Sequence, residues 1–244
     1  MRVPRLYIPQ ELATGRTLTV TGQPAHHVTH VLRLRAGAPL RVFDGNGNEF
    51  NAVFQQGARS GITLEVGNAT GTLPEPGLHI RLIQGIARND RMDLILQKSV
   101  ELGISVIQPA WMQRSQAHIR GERLQKRIRH WQGVISSACE QSGRATLPEL
   151  LPPQTYAESV TGKADNSLRL MLQPDSKQTL AGLTKPAGDI VLLVGPEGGL
   201  EPAEQALASS NDFTGISLGP RILRTETAAL AALAGMHTLW GDFR

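Results

Sequence analysis

Hydrophobic positions follow two different rhythms along the 244-residue chain. As far as residue 66 they mostly alternate with polar ones, the period of a strand that buries one face. Leu40-Arg41-Val42-Phe43 and Glu49-Phe50-Asn51-Ala52-Val53-Phe54 flank Asp44-Gly45-Asn46-Gly47-Asn48, whose Asp-Gly and Asn-Gly pairs favour a hairpin. Ile62-Thr63-Leu64-Glu65-Val66 alternates as well. Residues 24–34 break the rhythm: Ala25, Val28, Val31 and Leu32 recur at helical spacing. The pattern predicts a β-rich, barrel-like module with one short helix.

Residues 67–77 are rich in Gly, Pro and Thr and read as a connection. Domains are therefore expected over residues 1–72 and 78–244, with a linker at 73–77. Beyond it strands and helices alternate. Residues 79–85 form a strand, and Asp90 caps a helix to Glu101 that buries Met92, Ile95, Leu96 and Leu102 and stops at Gly103. Residues 104–111 are the next strand, followed by a helix over 122–140 with Leu124, Ile128, Trp131, Ile135 and Ala138 along one face. Its outer face carries Arg123, Lys126, Arg127 and Arg129, by default a solvated surface, with an RNA-facing strip as the alternative. Leu168–Leu172, Ile190–Val194 and residues 213–218 are short apolar strands, and Pro202–Ser209 a short helix with proline at its first position. Thr225 caps a final helix over 226–240, so rich in Ala and Leu that it should be buried under the sheet or against another subunit. Such alternation predicts an α/β domain, an unknotted doubly wound sheet on pattern alone.

Two glycine-bearing turns follow two of these strands: Gly195-Pro196-Glu197-Gly198-Gly199, and Leu218-Gly219-Pro220-Arg221-Ile222-Leu223-Arg224-Thr225. Turns at the carboxyl ends of sheet strands line the ligand crevice of α/β folds. Neither is a dinucleotide or P-loop signature, and Glu197 would repel phosphate, so a neutral nucleoside or a cation read through main-chain groups fits better.

Composition narrows the class. No apolar stretch approaches the roughly 20 residues of a membrane span, no signal peptide is seen, and Cys139 is the single cysteine; these features point to a cytoplasmic protein without disulfides. His26, His27 and His30 lack a neighbouring carboxylate, and no metal is expected. Residues 1–72 hold 7 Lys/Arg against 4 Asp/Glu, residues 73–244 hold 18 against 17, so the N-terminal part carries most of the surplus and suits a polyanion.

The paired turns closely resemble those of the ribosomal RNA small subunit methyltransferase E family of SPOUT enzymes. Gln97-Lys98-Ser99-Val100-Glu101-Leu102-Gly103, Ala138-Cys139-Glu140-Gln141-Ser142-Gly143-Arg144, His30-Val31-Leu32-Arg33-Leu34 and Phe43-Asp44-Gly45 extend the likeness over nearly the whole chain. The resemblance implies a PUA-like β-barrel that grips RNA, followed by a SPOUT-type α/β domain with a C-terminal trefoil knot. It further implies a homodimer that methylates N3 of a uridine in 16S ribosomal RNA of the 30S subunit, using S-adenosylmethionine. The cofactor is then expected at Leu172, Gly195, Pro196, Glu197, Gly198, Gly199, Leu218, Gly219, Leu223, Arg224 and Thr225, with Gly195, Gly198 and Gly219 leaving room for the ligand. Uridine N3 must lose a proton, so Glu140, Glu197 and Glu226 are candidate bases, and Arg144 and Arg224 candidate stabilisers of the anionic ring. Structural alternatives stand beside them: Glu197 holding its turn, Glu226 serving the helix dipole, Glu140 pairing with Arg144. Arg2, Arg5, His30, Arg33 and Arg35 are the candidate RNA contacts. A non-catalytic RNA-binding protein and an NAD- or ATP-dependent enzyme are the rival classes.

Overall fold

The computed structural model describes residues 3–58, 61–115, 118–161 and 166–243, so Arg2 lies outside the described residues. The chain divides into two compact units, Met1–Glu75 with Ser136–Leu147, and Pro76–Ile135 with Pro148–Arg244.

The first unit is a five-stranded sheet of β1 (Arg5–Tyr7), β2 (Thr17–Val20), β3 (Pro39–Phe43), β4 (Glu49–Ala58) and β5 (Gly61–Ala69), in the order β1-β3-β4-β5-β2. Among these strands β1 and β3 pair in parallel and the other pairs are antiparallel. Alternation works as read: Leu18 and Val20 of β2 and Ile62, Leu64 and Val66 of β5 turn inward onto Leu6, Leu40, Val42 and Phe54. The β3–β4 turn is held by Asp44, whose Oδ1 accepts from the backbone N–H groups of Asn46 (2.8 Å) and Asn48 (3.2 Å).

The predicted helix departs from its pattern. α1 (Gly22–His26) runs into a π-turn over His27–Val31, closed by Leu32 N–H donating to His27 O at 2.9 Å. The wider turn shifts the following residues around the axis, so Val28 stays buried while Val31, expected inside, is 60 % exposed. Arg33 then adopts φ 51°, a left-handed conformation costly for a residue with a side chain.

The second unit comprises β6 (Ile80–Gly85), α2 (Asn89–Glu101), β7 (Val106–Trp111), the first part of α3 (Gly121–Ser142), β8 (Glu149–Leu150), β9 (Gln154–Thr155), α4 (Tyr156–Val160), β10 (Leu168–Leu172), β11 (Ile190–Val194), α5 (Pro202–Ser209), β12 (Thr214–Ile216) and α6 (Thr225–Trp240). Its sheet is ordered β12-β10-β11-β6-β7-β8, with β9 also on β7, and every pairing is parallel. β11 lies between β10 and β6 and is buried at all five positions, as its unbroken apolar run requires.

Two caps differ from expectation. α2 starts at Asn89, leaving Asp90 in the first turn, where its charge faces the positive end of the helix dipole. α6 starts at Thr225 itself, with Arg224 in the cap position, because the threonine hydroxyl is engaged elsewhere. α6 buries Ala229, Ala232, Leu233, Met236 and Trp240 within its own unit and leaves Leu239 40 % exposed. No helix among the described residues is long and apolar enough to cross a membrane.

Candidate active site

The two glycine-bearing turns meet at the carboxyl edge of the sheet. Thr225 Oγ1 donates to the carbonyl of Gly195 at 2.6 Å and accepts from Gln84 Nε2 at 3.0 Å, so one hydroxyl ties the second turn to the first and to the end of β6. Gly85 next to it is required: a Cβ there would lie 2.5 Å from the nitrogen of Pro196.

Between the turns lies a cleft of about 320 Å³, within the range of small-molecule sites. Leu172, Gly195, Pro196, Glu197, Gly198, Gly199, Leu218, Gly219, Leu223 and Thr225 line it, together with Gln173, Val194, Gln205, Ile216, Ser217, Arg221 and Ala228, among others. Arg224 is not in the lining; its side chain is exposed at the start of α6. Among the described residues, the main-chain N–H groups of Leu218, Gly219 and Leu223 make no hydrogen bond within the chain. The site therefore offers apolar walls, two amide side chains and uncommitted main-chain donors, with one cationic side chain, Arg221. That donor set fits a nucleoside carrying little negative charge, such as S-adenosylmethionine, and lacks the cationic cradle of a nucleoside triphosphate.

The turns' own packing and backbone conformation also require these glycines. A Cβ on Gly195 would come within 3.0 Å of Gly199 C and 3.1 Å of Leu200 N, and one on Gly198 within 2.9 Å of the Arg114 side chain, while Gly219 has φ +88° with open space around it. They permit the turns to close on themselves. Arg114 reinforces the first turn, donating from Nη1 to Gly198 O at 2.6 Å and from Nε to Glu201 Oε1 at 2.7 Å. Glu201 stands where a hydroxyl would be the usual cap, and its own N–H donates to Glu204 Oε2 at 2.8 Å.

Glu197 is turned onto the start of α2. Its Oε1 accepts from Arg88 N–H at 2.9 Å and lies 3.3 Å from Arg91 Nη1. The carboxylate is thus partly neutralised and serves its turn, which weakens the repulsion of phosphate inferred from its presence alone. Arg91 Nε is also 4.0 Å from Glu226 Oε1, and the buried Glu226 Oε2 has no hydrogen-bond partner among the described residues.

The remaining candidates lie in the first unit. Glu140 accepts from Tyr7 N–H at 2.9 Å, and burial raises its pKa above the usual carboxylate range. Arg144 is 8 % exposed and pairs with Glu75 at 2.6 Å. Arg5, expected on RNA, is buried: its Nε donates to Glu49 Oε2 at 2.9 Å, and its other nitrogens reach the carbonyls of Cys139, Glu140 and Arg144. It fastens residues 139–144 to β1, an internal role that removes it from the surface. His30, Arg33 and Arg35 are exposed, His30 stacking on His26 with ring centroids 4.4 Å apart. Gln84, Gly85, Arg88, Arg91 and Arg114 carry no signal in the sequence, since each acts through a partner far along the chain.

Comparison with known proteins agrees with this geometry. The chain matches the RNA methyltransferase domain family over residues 74–237 and the RNA methyltransferase PUA domain family over residues 20–67. These matches and the parallel sheet define a PUA-bearing RNA methyltransferase. A ribosomal RNA small subunit methyltransferase E from Buchnera aphidicola subsp. Acyrthosiphon pisum (strain APS) is 30 % identical over 243 residues, covering 100 % of this chain and 96 % of its own length. The crystal structure of such a methyltransferase from Neisseria gonorrhoeae, bound to S-adenosylmethionine, superposes with TM-score 0.92 at 40 % identity over the full length of both chains. A Legionella pneumophila structure, also with that cofactor, superposes with TM-score 0.95 at 36 % identity and equal coverage. The chain belongs to the ribosomal RNA small subunit methyltransferase E family.

Proposed function

We propose that this protein transfers a methyl group from S-adenosylmethionine to N3 of a uridine in 16S ribosomal RNA, working in the cytoplasm as a homodimer on the small ribosomal subunit. The observation that carries this reading is the cleft closed by the Thr225–Gly195 tie, whose lining combines apolar side chains with residues whose main-chain donors are uncommitted among the described residues.

S-adenosylmethionine, when bound, supplies a methyl group activated on a sulfonium. The chain's part is to bind, orient and manage charge. Leu172, Val194, Ile216, Leu218 and Ala228 suit an apolar ring, and the N–H groups of Leu218, Gly219 and Leu223 suit its polar edge. Arg224, exposed beside the cleft, is the group best able to favour an anionic uracil ring and so ease loss of the N3 proton. Glu197 supports the turn and Arg144 the first unit, and Glu140, with its raised pKa, remains the candidate base. The family likeness also implies that the last segment of the second unit threads a loop as a trefoil knot. The exposed flank of α6, Leu239 included, is the proposed dimer surface.

Exposed Arg33 and Arg35, with His30, are proposed to hold RNA phosphates. Labelled methyl transfer to 16S RNA and to 30S subunits, followed by nucleoside analysis, tests the whole reading. Reversing Arg33 and Arg35 to Glu should weaken RNA binding tenfold or more at low salt and leave cofactor affinity unchanged, whereas Arg224→Ala should slow single-turnover transfer more than it weakens RNA binding. Cofactor binding without transfer to either RNA substrate would favour a non-catalytic RNA-binding role, and a monomeric mass in light scattering would remove the dimer.

A further inference from the structure

Residues 120–132 hold five Lys/Arg, Arg120, Arg123, Lys126, Arg127 and Arg129, against the single carboxylate Glu122, a surplus equal to the whole chain's formal charge of +4. In the first part of α3, Arg123, Lys126, Arg127 and His130 follow one another at spacings of three, one and three residues and so share a face. Two of these side chains are held in place from α2. Arg127 Nη2 donates to Asn89 Oδ1 and its guanidinium lies 6.0 Å from the centre of the Trp131 ring, while His130 Nε2 is 2.8 Å from Asp93 Oδ2. The others are uncommitted: Arg120, Arg123, Lys126 and Arg129 are exposed, and among the described residues none has a carboxylate within salt-bridge distance. Of these, Arg123 and Lys126 border a shallow groove of about 450 Å³ that Asn89, Asp93, Arg127, His130 and Trp131 also line.

A solvated helix face is ordinarily laced with both signs of charge, which limits self-repulsion. This face is nearly single-signed, has fixed guanidinium and imidazole groups at its centre and uncommitted cations at its rim. From Arg123 to His130 it runs roughly 10 Å at the helical rise, the span of about three phosphates at ~3.4 Å of axis each. Resting on the RNA-methylation reading above, we infer that the outer face of α3 is a second binding surface for the phosphodiester backbone of the RNA substrate. It is carried by the catalytic unit itself and is distinct from the surface of the first unit. Contacts of this kind fix register and orientation without reading bases.

The test uses the full-length protein with Arg123→Glu and Lys126→Glu combined, beside the neutral pair Arg123→Gln and Lys126→Gln. Affinity for a fluorescent 16S RNA fragment is measured between 50 and 200 mM KCl, with cofactor affinity by calorimetry and circular dichroism as controls. The neutral pair should lower the slope of log K against log salt by about 1.5, since each phosphate that a cation neutralises accounts for ~0.7–0.9 of that slope. The reversed pair should bind at least tenfold more weakly at 50 mM, and neither should change cofactor affinity. Wild-type affinity and slope in both folded variants would overturn the inference while leaving the methyltransferase reading intact. Unchanged affinity for free RNA with weakened binding to 30S subunits would also overturn it, making the surface a contact for ribosomal protein. Failure of the wild-type protein to bind or methylate RNA would instead sink the reading beneath it.

Discussion

The cleft of the second unit and the arginine cluster of the first use their polar groups in opposite ways. Around the cleft, polarity is mostly main-chain, and a few side chains such as Thr225 and Arg114 hold the turns in shape. In the first unit, a formal charge, Arg5, is drawn inside and spent on Glu49 and three backbone carbonyls. A site made of backbone is specified by where the chain must bend; a site made of charges is specified only by where those charges end up.

The largest effect that separates the two is expected at Arg5. Its side chain is 6 % exposed and that of Glu49 3 %, so Arg5→Met strands a buried carboxylate with the half-exposed Arg41 at 3.2 Å as its remaining ion-pair partner. A loss of about 3 kcal/mol follows, visible in urea titration, with RNA affinity unchanged in the folded fraction. Wild-type stability with weakened RNA binding would return Arg5 to the surface role. A middle-sized effect belongs to Thr225→Val, which keeps the shape but leaves the Gly195 carbonyl without its hydroxyl donor. It should cost about 1–2 kcal/mol and lower cofactor affinity about tenfold, since ~1.4 kcal/mol is one decade; calorimetry and thermal melting read both. The smallest concerns Glu140→Gln, which preserves the bond from Tyr7 N–H and removes a charge that burial disfavours. Because burial raises the pKa, the folded state binds its proton more tightly than the unfolded chain does, so the wild-type protein loses stability as pH rises through that pKa. Glu140→Gln should therefore melt slightly higher at pH 8, and the difference should fade as pH falls. If methyl transfer collapses while the melting temperature rises, Glu140 is the base; if transfer persists, it is structural.

What the sequence disclosed follows the same division. Ile190–Val194, Pro202–Ser209 and the Asp44–Asn48 turn were legible because an apolar run, a first-turn proline and an Asx side chain act on neighbours in the chain. The two turns that line the cleft were legible for the same reason. Gln84 is inconspicuous in an apolar strand because its partner is Thr225, and the π-turn that expels Val31 is invisible to a fixed helical period. Charge misled through averaging. Residues 73–244 look nearly neutral, yet residues 76–135 hold 10 Lys/Arg against 4 Asp/Glu and residues 148–244 hold 7 against 11. The basic face of α3 was legible residue by residue, but the acidic residues of a later stretch of chain masked the charge surplus of the region that carries it.

The central strand of the second sheet has a consequence for the making of this protein. β11 pairs with β6 so that Ile190 lies against Ile80, and both turns of the cleft follow β11 in sequence. Closing so long a loop before its contacts are rewarded makes this pairing a late event. On the ribosome, where N-terminal segments fold first, the nascent chain therefore passes the synthesis of residues 86–189 with one edge of β6 awaiting its neighbour. No ligand of the cleft can stabilise it during that interval, because binding contributes only to states in which the site exists.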